Sequence, residues 1–350
     1  MRRTTMMFGI GAACALFAVA CLAEGSGEAP GVVRTGEAAK AKTPGAIRLT
    51  TYNIENLFDD RDDLSLTGRE DDCYSQDKTI RAKPEAQQAA VAKAIRAIDS
   101  DIIAVEEIES FDALIEFREK HLTGLGYDHV ISIDAGADRG IQQGVLSRFP
   151  VREARVWPQM PLPGVHPELY GDKPNYEAGK PIVFRRSPLY VRIEVPAGSR
   201  GNDASYDLSL FIVHHKSGKY NDYWREKETA AVIGLVADLA ARDPDANIAV
   251  LGDFNAEPAD ASVKAYIDAG MVHAHQNGSN DPKMQTHSSE RAIDFILVNA
   301  NLKAELVPGS GFAFGTPVLP AEADWRTAPT PSDYASDHCP VSVDIVPINK

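Results

Sequence analysis

Polar side chains follow several apolar, β-rich segments of this chain at the point where each segment ends. Segments such as AIRLTTYNI, DIIAVEEIES and LFIVHHKSG are rich in Ile, Leu and Val, which is typical of buried strands. Acids and amides are costly to bury alone, so their recurrence at strand ends indicates one shared polar pocket. The residues in these positions are Asn53, Glu55, Glu106, Glu107, His214, His215, Asp253, Asn255, Asp294, Asp337 and His338.

The order of the apolar runs predicts the fold class. Long strands outnumber helices, helical periodicity occurs at 83–99 and 222–242, and neighbouring strands are patterned as antiparallel pairs. We therefore expect an α+β fold with two packed sheets and helices outside them, in preference to a doubly wound parallel sheet. No internal repeat of short period occurs, and a single domain is predicted over residues 47–350.

The N-terminus has the layout of a secretory signal peptide. Arg2 and Arg3 precede an apolar run that ends in small residues, which predicts a leader over residues 1–23. The run is short for a membrane span, so export is favoured over a permanent transmembrane anchor, with lipid attachment at Cys21 as a further alternative. Residues 24–46 are small, polar and aperiodic, which predicts a flexible tether. The expected location is the periplasm or the outside of the cell.

The charge of the chain limits its partners. The formal net charge is −14, and loss of the leader removes two more positive charges. An acidic body repels polyanions at long range, which argues against a nucleic-acid coat protein. An enzyme that binds a polyanion through divalent cations or local basic residues remains compatible with this charge.

Two features leave alternatives open. Cys73 and Cys339 remain after loss of the leader, and either a disulfide between them or a buried free thiol at Cys339 fits an exported protein. Residues 59–78 form an acidic stretch without the spacing of an EF-hand, so a solvated loop is favoured over a calcium site.

Two adjacent pairs each offer one side chain to the pocket, because successive residues of a strand point to opposite faces. Carboxylates such as Glu106 and Glu107 suit Mg²⁺ or Mn²⁺ rather than Zn²⁺, although a surface acid pair is the alternative. Of His214 and His215, we select His214 as the pocket residue and keep His215 in reserve. Lys216, which follows them, is predicted to contact phosphate.

Two further segments predict a general base and its surroundings. Asp253 and Asn255 are two residues apart and can face the same side as an acceptor and an amide donor, with an Asx-type turn as the alternative. Asp294 lies in an apolar run and needs a partner. His338 is the natural candidate, since a histidine made more basic by Asp294 can remove a proton from water near neutral pH. A salt bridge to Arg291 is the alternative.

The segments YNIEN, DIIAVEEIES, GVLSRFP, FIVHHKS, LGDFNAEP, AIDFILVN and SDHCPVSV occur in a recognisable order. The chain resembles the endonuclease/exonuclease/phosphatase superfamily, whose members resemble deoxyribonuclease I and exonuclease III, over its whole length after the tether. The resemblance implies a four-layer α/β/β/α sandwich and metal-dependent hydrolysis of phosphate esters. Mg²⁺ or Mn²⁺ is the implied cofactor, with Ca²⁺ as an alternative.

The resemblance also implies roles for the polar residues. The implied metal ligands are Glu107, Glu55 and Asp337. The phosphate-binding residues are Asn53 and Asn255, together with Lys216. The catalytic residues are His338, Asp294, Asp253, His214 and Asn255. The chain departs from the family pattern at Glu106, where glutamine is often seen, and at the second histidine of VHHKS.

The leading hypothesis is an exported, magnesium-dependent nuclease or broad phosphodiesterase acting on DNA or RNA, since VHHKSG resembles a segment of secreted bacterial nucleases. A phospholipase-like, sphingomyelinase-like or inositol-phosphate phosphatase activity is the alternative. A sphingomyelinase-like enzyme needs an exposed apolar hairpin, for which GFAFGTPVLP at 311–320 is the candidate. A catalytically silent binding module predicts a broken site, whereas all polar positions are filled. No protein partner is implied, and a monomer is expected.

Overall fold

The computed structural model of the protein describes residues 33–61, 82–275, 285–320 and 329–348. The strands in these ranges are β1 (Val33–Arg34), β2 (Ile47–Leu57), β3 (Ile102–Ile108), β4 (His129–Ser132), β5 (Gln142–Ser147), β6 (Val151–Val156), β7 (Pro161–Val165), β8 (Leu169–Tyr170), β9 (Lys173–Pro174), β10 (Pro181–Val183), β11 (Leu189–Val195), β12 (Tyr206–His214), β13 (Asn247–Asp253), β14 (Val272–His273), β15 (Asp294–Val298), β16 (Phe312–Ala313), β17 (Pro317–Val318) and β18 (Val341–Ile345). The helices are α1 (Glu85–Ile98), α2 (Phe111–His121), α3 (Asp222–Arg242), α4 (Ala261–Asp268) and α5 (Ala300–Lys303).

Two six-stranded sheets form the centre of the fold. One has the order β16-β18-β2-β3-β5-β4 and the other β14-β15-β13-β12-β11-β6. In each sheet one pair is parallel, β2 with β3 and β12 with β13, and the remaining pairs are antiparallel. The prediction of an α+β fold with two mostly antiparallel sheets is confirmed.

Three apolar layers hold the sheets and helices together. Ile102 and Ala104 of β3 pack between the two sheets, whereas Ile103 and Val105 pack against α1 and α2. A third layer joins the other sheet to α3 and α4. Because successive side chains of a strand point to opposite faces, a strand covered on both sides must be apolar throughout. The four-layer α/β/β/α sandwich implied by the resemblance is therefore confirmed.

Helix α1 shows how the local sequence sets an outer layer. Pro84 stands just before the first residue of the helix, where its missing N–H costs no hydrogen bond. Val91, Ile95 and Ile98 recur at helical spacing and are buried. The helix ends at Asp99, which adopts a left-handed conformation with φ of 54°.

Residues 33–46 differ from the predicted tether because they are attached to the domain. Strand β1 pairs antiparallel with β17, and the ammonium of Lys40 donates to the carbonyl of Gly311 over 2.6 Å. A Cβ on Gly36 would lie 2.7 Å from a carbonyl oxygen opposite, so the small residue allows a close approach of two backbones. Residues 24–32 lie outside the described residues.

Other expectations also fall outside the described residues in part. The predicted signal peptide lies wholly outside them, as do Cys73 and residues 62–81, which include most of the acidic stretch. Cys339 is buried and forms no disulfide with any residue that the structure describes. Within the part of the chain that the structure describes, no helix has the length and apolar character needed to cross a membrane.

A buried ion pair joins β2 to β18. Arg48 Nε donates to Asp344 Oδ1 over 2.7 Å, and the two side chains are 1% and 0% exposed. Asp344→Asn leaves the guanidinium without its counter-charge, so we expect it to lower the free energy of unfolding by about 3 kcal/mol in a urea titration. The control, Glu194→Gln, removes an exposed partner of Arg152 and should cost less than about 1 kcal/mol. Equal losses in the two variants would contradict this prediction.

Candidate catalytic site

The sheets bring the predicted polar residues together at one end of the sandwich. Parallel pairing of β12 with β13 places His214 beside Asp253. Strand β15 runs antiparallel to β13 and so begins with Asp294 opposite Asp253. The amide of Asn53 on β2 donates to Asp253 Oδ2 over 3.2 Å, which joins the two sheets. Asp294 is therefore the first residue of β15 rather than an interior residue of the strand as predicted.

His338 and Asp294 form a buried pair. His338 Nδ1 lies 2.9 Å from Asp294 Oδ2 and 3.0 Å from Oδ1. Burial alone lowers the pKa of His338, but the carboxylates of Asp294, Asp337 and Asp253 outweigh it and raise that pKa well above its usual value. The geometry predicted for the pair is present, with Nδ1 as the nitrogen that faces Asp294.

The carboxylate of Asp294 is also held from a second side. The hydroxyl of Thr286 donates to Asp294 Oδ2 over 2.7 Å. The alternative partner, Arg291, instead donates from Nε to the hydroxyl of Ser289 over 2.8 Å. The Thr286 bond fixes the orientation of the carboxylate that His338 meets.

The free nitrogen of His338 faces two more carboxylates. Its Nε2 lies 3.8 Å from Asp253 Oδ2 and 3.8 Å from Asp337 Oδ1. Burial raises the pKa of Asp253 to about 6, against the opposing effect of the His338 charge. Nε2 is thus the ring atom available to exchange a proton with a molecule held between these groups.

Asn255 forms an Asx-type turn and also lies with its amide on the side of Asp253. Its backbone N–H donates to Asp253 Oδ1 over 2.7 Å, which is the Asx-type turn considered as the alternative. Its side-chain amide donates to Asp253 Oδ2 over 3.0 Å and to the carbonyl of His215 over 3.1 Å. Asn255 therefore lies beside Asp253 as predicted, with its amide engaged by protein partners.

The two adjacent glutamates have opposite environments. Glu106 is fully buried, accepts a hydrogen bond from Thr51 Oγ1 over 2.9 Å, and has a pKa that burial raises well above its usual value. Glu107 has a φ of 62°, which interrupts the regular strand. Its Oε1 lies 3.7 Å from His214 Nε2 and 3.6 Å from the guanidinium of Arg139. Glu107 is the member of the pair that faces the site.

The two adjacent histidines also separate. His214 Nε2 lies 3.5 Å from Asp253 Oδ2 and 3.7 Å from Glu107 Oε1. Burial and a neighbouring arginine hold the pKa of His214 well below its usual value. His215 Nε2 instead lies 3.1 Å from the hydroxyl of Tyr266, on the side of α4. His214 is therefore the histidine that faces the carboxylates of the site, and His215 belongs to the packing of the outer layer.

The carboxylates predicted as metal ligands line one cavity of about 380 Å³, together with Arg139 and His287. Oε2 of Glu55 is buried and has no hydrogen-bond partner among the described residues. Burial, followed by the charge of Asp337, raises the pKa of Glu55 to about 7. A divalent cation would relieve this crowding of negative charge, and an all-oxygen donor set suits Mg²⁺ or Mn²⁺. The residues present therefore fit the implied metal.

The closest ligand atoms at the site are not those of the predicted metal set. Two groups have potential ligand atoms within 4.8 Å of one another, namely His287 with Asp337 and His338, and Asp253 with Asp294 and His338. Glu107 belongs to neither group. Of the three predicted ligands, which all line one cavity, only Asp337 belongs to one of these groups, and its neighbour His287 was not predicted.

Three residues with basic side chains at the site were missed from the sequence. His287 Nε2 lies 3.3 Å from Asp337 Oδ2, Arg139 reaches Glu107, and Lys83 Nζ donates to the carbonyl of Glu55 over 2.7 Å. None of the three follows an apolar run, so the pattern that identified the other residues does not include them. Their position in polar loop segments is the only signal that the sequence carries.

Lys216 lies apart from the predicted metal ligands. Its Nζ donates to the carbonyl of Ser217 over 2.9 Å, and its side chain lines a neighbouring cavity rather than the one that contains Glu107. Burial and the nearby charges of Arg186 and Arg185 lower the pKa of Lys216 to about 8.

Comparisons with known proteins place this site in a family. A search of curated protein sequences found no significant match. The fold is similar to the human Nocturnin catalytic domain with bound sulfate anion (14% identity, 89% of this chain and 96% of that chain, TM-score 0.52). It is also similar to an endonuclease/exonuclease/phosphatase from Beutenbergia cavernae DSM 12333 (16% identity, 86% of this chain and 71% of that chain, TM-score 0.53). A third similar structure is D. rerio TDP2 complexed with single strand DNA product (15% identity, 85% of this chain and 98% of that chain, TM-score 0.51).

Identities this low show a shared fold alone. The sequence itself matches the profile of the Endonuclease/Exonuclease/phosphatase family over residues 50–338, a range that contains Asn53, Glu107, Asp253 and His338. The chain therefore belongs to the endonuclease/exonuclease/phosphatase family.

Proposed function

We propose that the protein is an exported, divalent-metal-dependent phosphodiesterase that acts on nucleic acid. The observation that carries the proposal is the buried pair of His338 and Asp294, whose free Nε2 faces Asp253 and Asp337 beside a cavity lined by carboxylates. Membership of a family of phosphoric ester hydrolases supports the reaction class. A relative of the same fold is described with a single-strand DNA product, which supports nucleic acid as the substrate.

The residues of the site suit a proton-transfer role. Asp294 accepts the Nδ1–H of His338, which leaves Nε2 to take a proton from water or to hold one for the leaving oxygen. Asp253, held by the amides of Asn53 and Asn255, lies on the side of Nε2 where that water would be oriented. Because a phosphodiester repels anionic nucleophiles, positive charge is also required. Mg²⁺ or Mn²⁺ held by Glu107 with Glu55 and Asp337 would supply that charge and polarise the phosphate.

A substrate panel tests the proposal. The purified protein is assayed with bis(p-nitrophenyl) phosphate, p-nitrophenyl phosphate, plasmid DNA, RNA and sphingomyelin, each with Mg²⁺ or with a chelator. We expect hydrolysis of the diester and of DNA or RNA with Mg²⁺, and its loss with the chelator. Activity that survives chelation would contradict the metal requirement, and hydrolysis of the monoester alone would contradict the phosphodiesterase assignment.

A second candidate is a phosphodiesterase that acts on lipid head groups. Val165, Leu169 and Tyr176 are 57%, 59% and 97% exposed on the segment from β7 to β10, and exposed apolar side chains of this kind can contact a lipid surface. The hairpin predicted for this contact at 311–320 is wrong as a membrane contact, because Phe312 is fully buried there. Preferential hydrolysis of sphingomyelin would favour this candidate, and no hydrolysis of any ester would favour a binding module.

The sequence of the N-terminus supports export. The arginines and apolar run of residues 1–23 have the layout that a secretion system recognises. Mass spectrometry of protein secreted by a bacterial host should give a mature N-terminus at residue 24. A mass that retains a lipid on Cys21 would instead show an anchored form.

A further inference from the structure

A second cavity lies beside the catalytic site. It has a volume of about 390 Å³ and is enclosed by the segment from β7 to β10 and the start of α3; we call it the flanking cavity. Asp138 lines it and directly precedes Arg139, which lines the cavity that contains Glu55, Glu107 and Asp337. Lys216 lines it and follows His214 by two residues. A substrate whose scissile phosphate lies at His338 can therefore extend into this cavity.

The charges of the flanking cavity favour an anion. Its two carboxylates are already paired, Glu177 with Lys180 at 2.9 Å and Asp138 with Arg185. Lys216 donates to a backbone carbonyl, and no carboxylate lies within 4 Å of its Nζ among the described residues. The surplus positive charge is notable in a chain of net charge −14, and a partly buried ammonium without a counter-ion attracts an anionic ligand group.

Aromatic side chains form the other part of the cavity wall. His166, Tyr170, Tyr223 and Trp224 all line it. The ammonium of Lys216 lies 5.9 Å from the centre of the Trp224 ring, so the cation site on that ring is already taken and a second cation would be repelled. A quaternary ammonium head group is therefore disfavoured. A flat ring that carries a negative charge matches both the aromatic and the basic parts of the wall.

We propose that the flanking cavity binds the nucleotide unit next to the scissile phosphate. The base stacks on the tyrosine rings, and the phosphate of this unit contacts Lys216. Base–aromatic stacking of this kind tolerates any base, since each has a π-face. The assignment rests on the proposed nuclease function. It adds that the protein recognises a nucleobase and a second phosphate of the substrate in addition to the scissile phosphate.

Calorimetric titration of the full protein in EDTA tests binding separately from hydrolysis. The probes are AMP, adenosine, inorganic phosphate and phosphorylcholine. We expect AMP to bind more tightly than the other three. Tyr170→Ala and Lys216→Gln should each weaken AMP binding about tenfold. Tyr170→Phe should restore the affinity because it keeps the ring, and Lys93→Gln, a change of an exposed lysine on α1, should leave the affinity at the wild-type value.

The outcomes separate the two proposals. Hydrolysis of diesters by a protein that does not bind AMP would overturn the nucleotide assignment and leave the proposed function standing. AMP binding by a protein that hydrolyses no diester would support the flanking cavity and overturn the proposed function. Tighter binding of phosphorylcholine than of AMP, or equal binding of inorganic phosphate and AMP, would overturn the nucleotide assignment. As a second readout, Tyr170→Ala should raise KM for a dinucleotide more than KM for bis(p-nitrophenyl) phosphate.

Discussion

His338→Ala is expected to lower kcat for phosphodiester hydrolysis by about 10³-fold, while the protein remains folded. The side chain is the only group at the site whose Nε2 faces Asp253 and Asp337 while Nδ1 is held by a buried carboxylate, among the described residues. Its loss removes the proton acceptor, and His338 is not part of the apolar cluster that packs between the sheets. Steady-state kinetics with bis(p-nitrophenyl) phosphate measures the effect, and circular dichroism checks the fold.

The control for this prediction is His129→Ala, on the edge strand β4, which should change kcat less than about twofold. A His338→Ala variant that retains wild-type kcat would contradict the proton-transfer role of His338. Asp294→Asn tests the same pair through the pKa of His338. Because the charge of Asp294 is the largest influence that raises the pKa of His338, its removal should lower that pKa.

The direction of this shift can be measured without substrate. In metal-free protein, an NMR titration of the His338 ring should show its midpoint at lower pH in Asp294→Asn than in the wild type. If the neutral ring acts as the base, the acidic limb of the pH–rate profile moves to lower pH in the same variant. A midpoint that stays in place would show that Asp294 does not control the protonation of His338.

Glu107→Gln is expected to raise the Mg²⁺ concentration needed for half-maximal activity by about 100-fold. An amide oxygen carries no net charge and is a weaker ligand for a hard cation than a carboxylate. Titration of activity with Mg²⁺, together with calorimetric binding of Mn²⁺, measures the change in affinity. Because Glu55 and Asp337 line the same cavity, some affinity should remain.

Glu106→Gln is the matched control, one residue away. Burial raises the pKa of Glu106 well above its usual value, which favours the neutral acid, and an amide has nearly the same shape as that acid. The hydrogen bond from Thr51 to Oε1 is also kept. We expect a change in Mg²⁺ requirement of less than about threefold. Equal effects of the two substitutions would contradict the assignment of Glu107 as the residue that faces the metal.

The sequence was sufficient for the long central strands and for the pairing of His338 with Asp294, but not for short strands such as β8 (Leu169–Tyr170) and β14 (Val272–His273). Strands covered on both faces must be apolar, so their pattern is readable locally. A buried carboxylate needs a donor, and this requirement identified the histidine although the two residues are 44 positions apart. The alternation of side chains along a strand also showed that one member of each adjacent pair should face the site.

Other features depended on contacts between distant segments. The positive φ of Glu107 interrupts the alternation that a regular strand would follow, and the approach of loops brings His287, Arg139 and Lys83 to the carboxylates. Lys216 adjoins the histidines in sequence but lines a different cavity, and residues 33–46 pair with a distant strand although their composition suggested a tether.

Some features could be predicted and others could not because some are set within one segment and others by contacts between distant segments. Hydrophobic periodicity and the cost of burying an unpaired charge act on each segment by itself, so the sequence alone determined the long central strands and the need for a polar pocket beside them. Which loops meet at that pocket depends on strand order, register and backbone turns, which are set by packing across the whole chain. The tertiary structure alone therefore decided which basic side chains surround the carboxylates and where the flanking cavity lies.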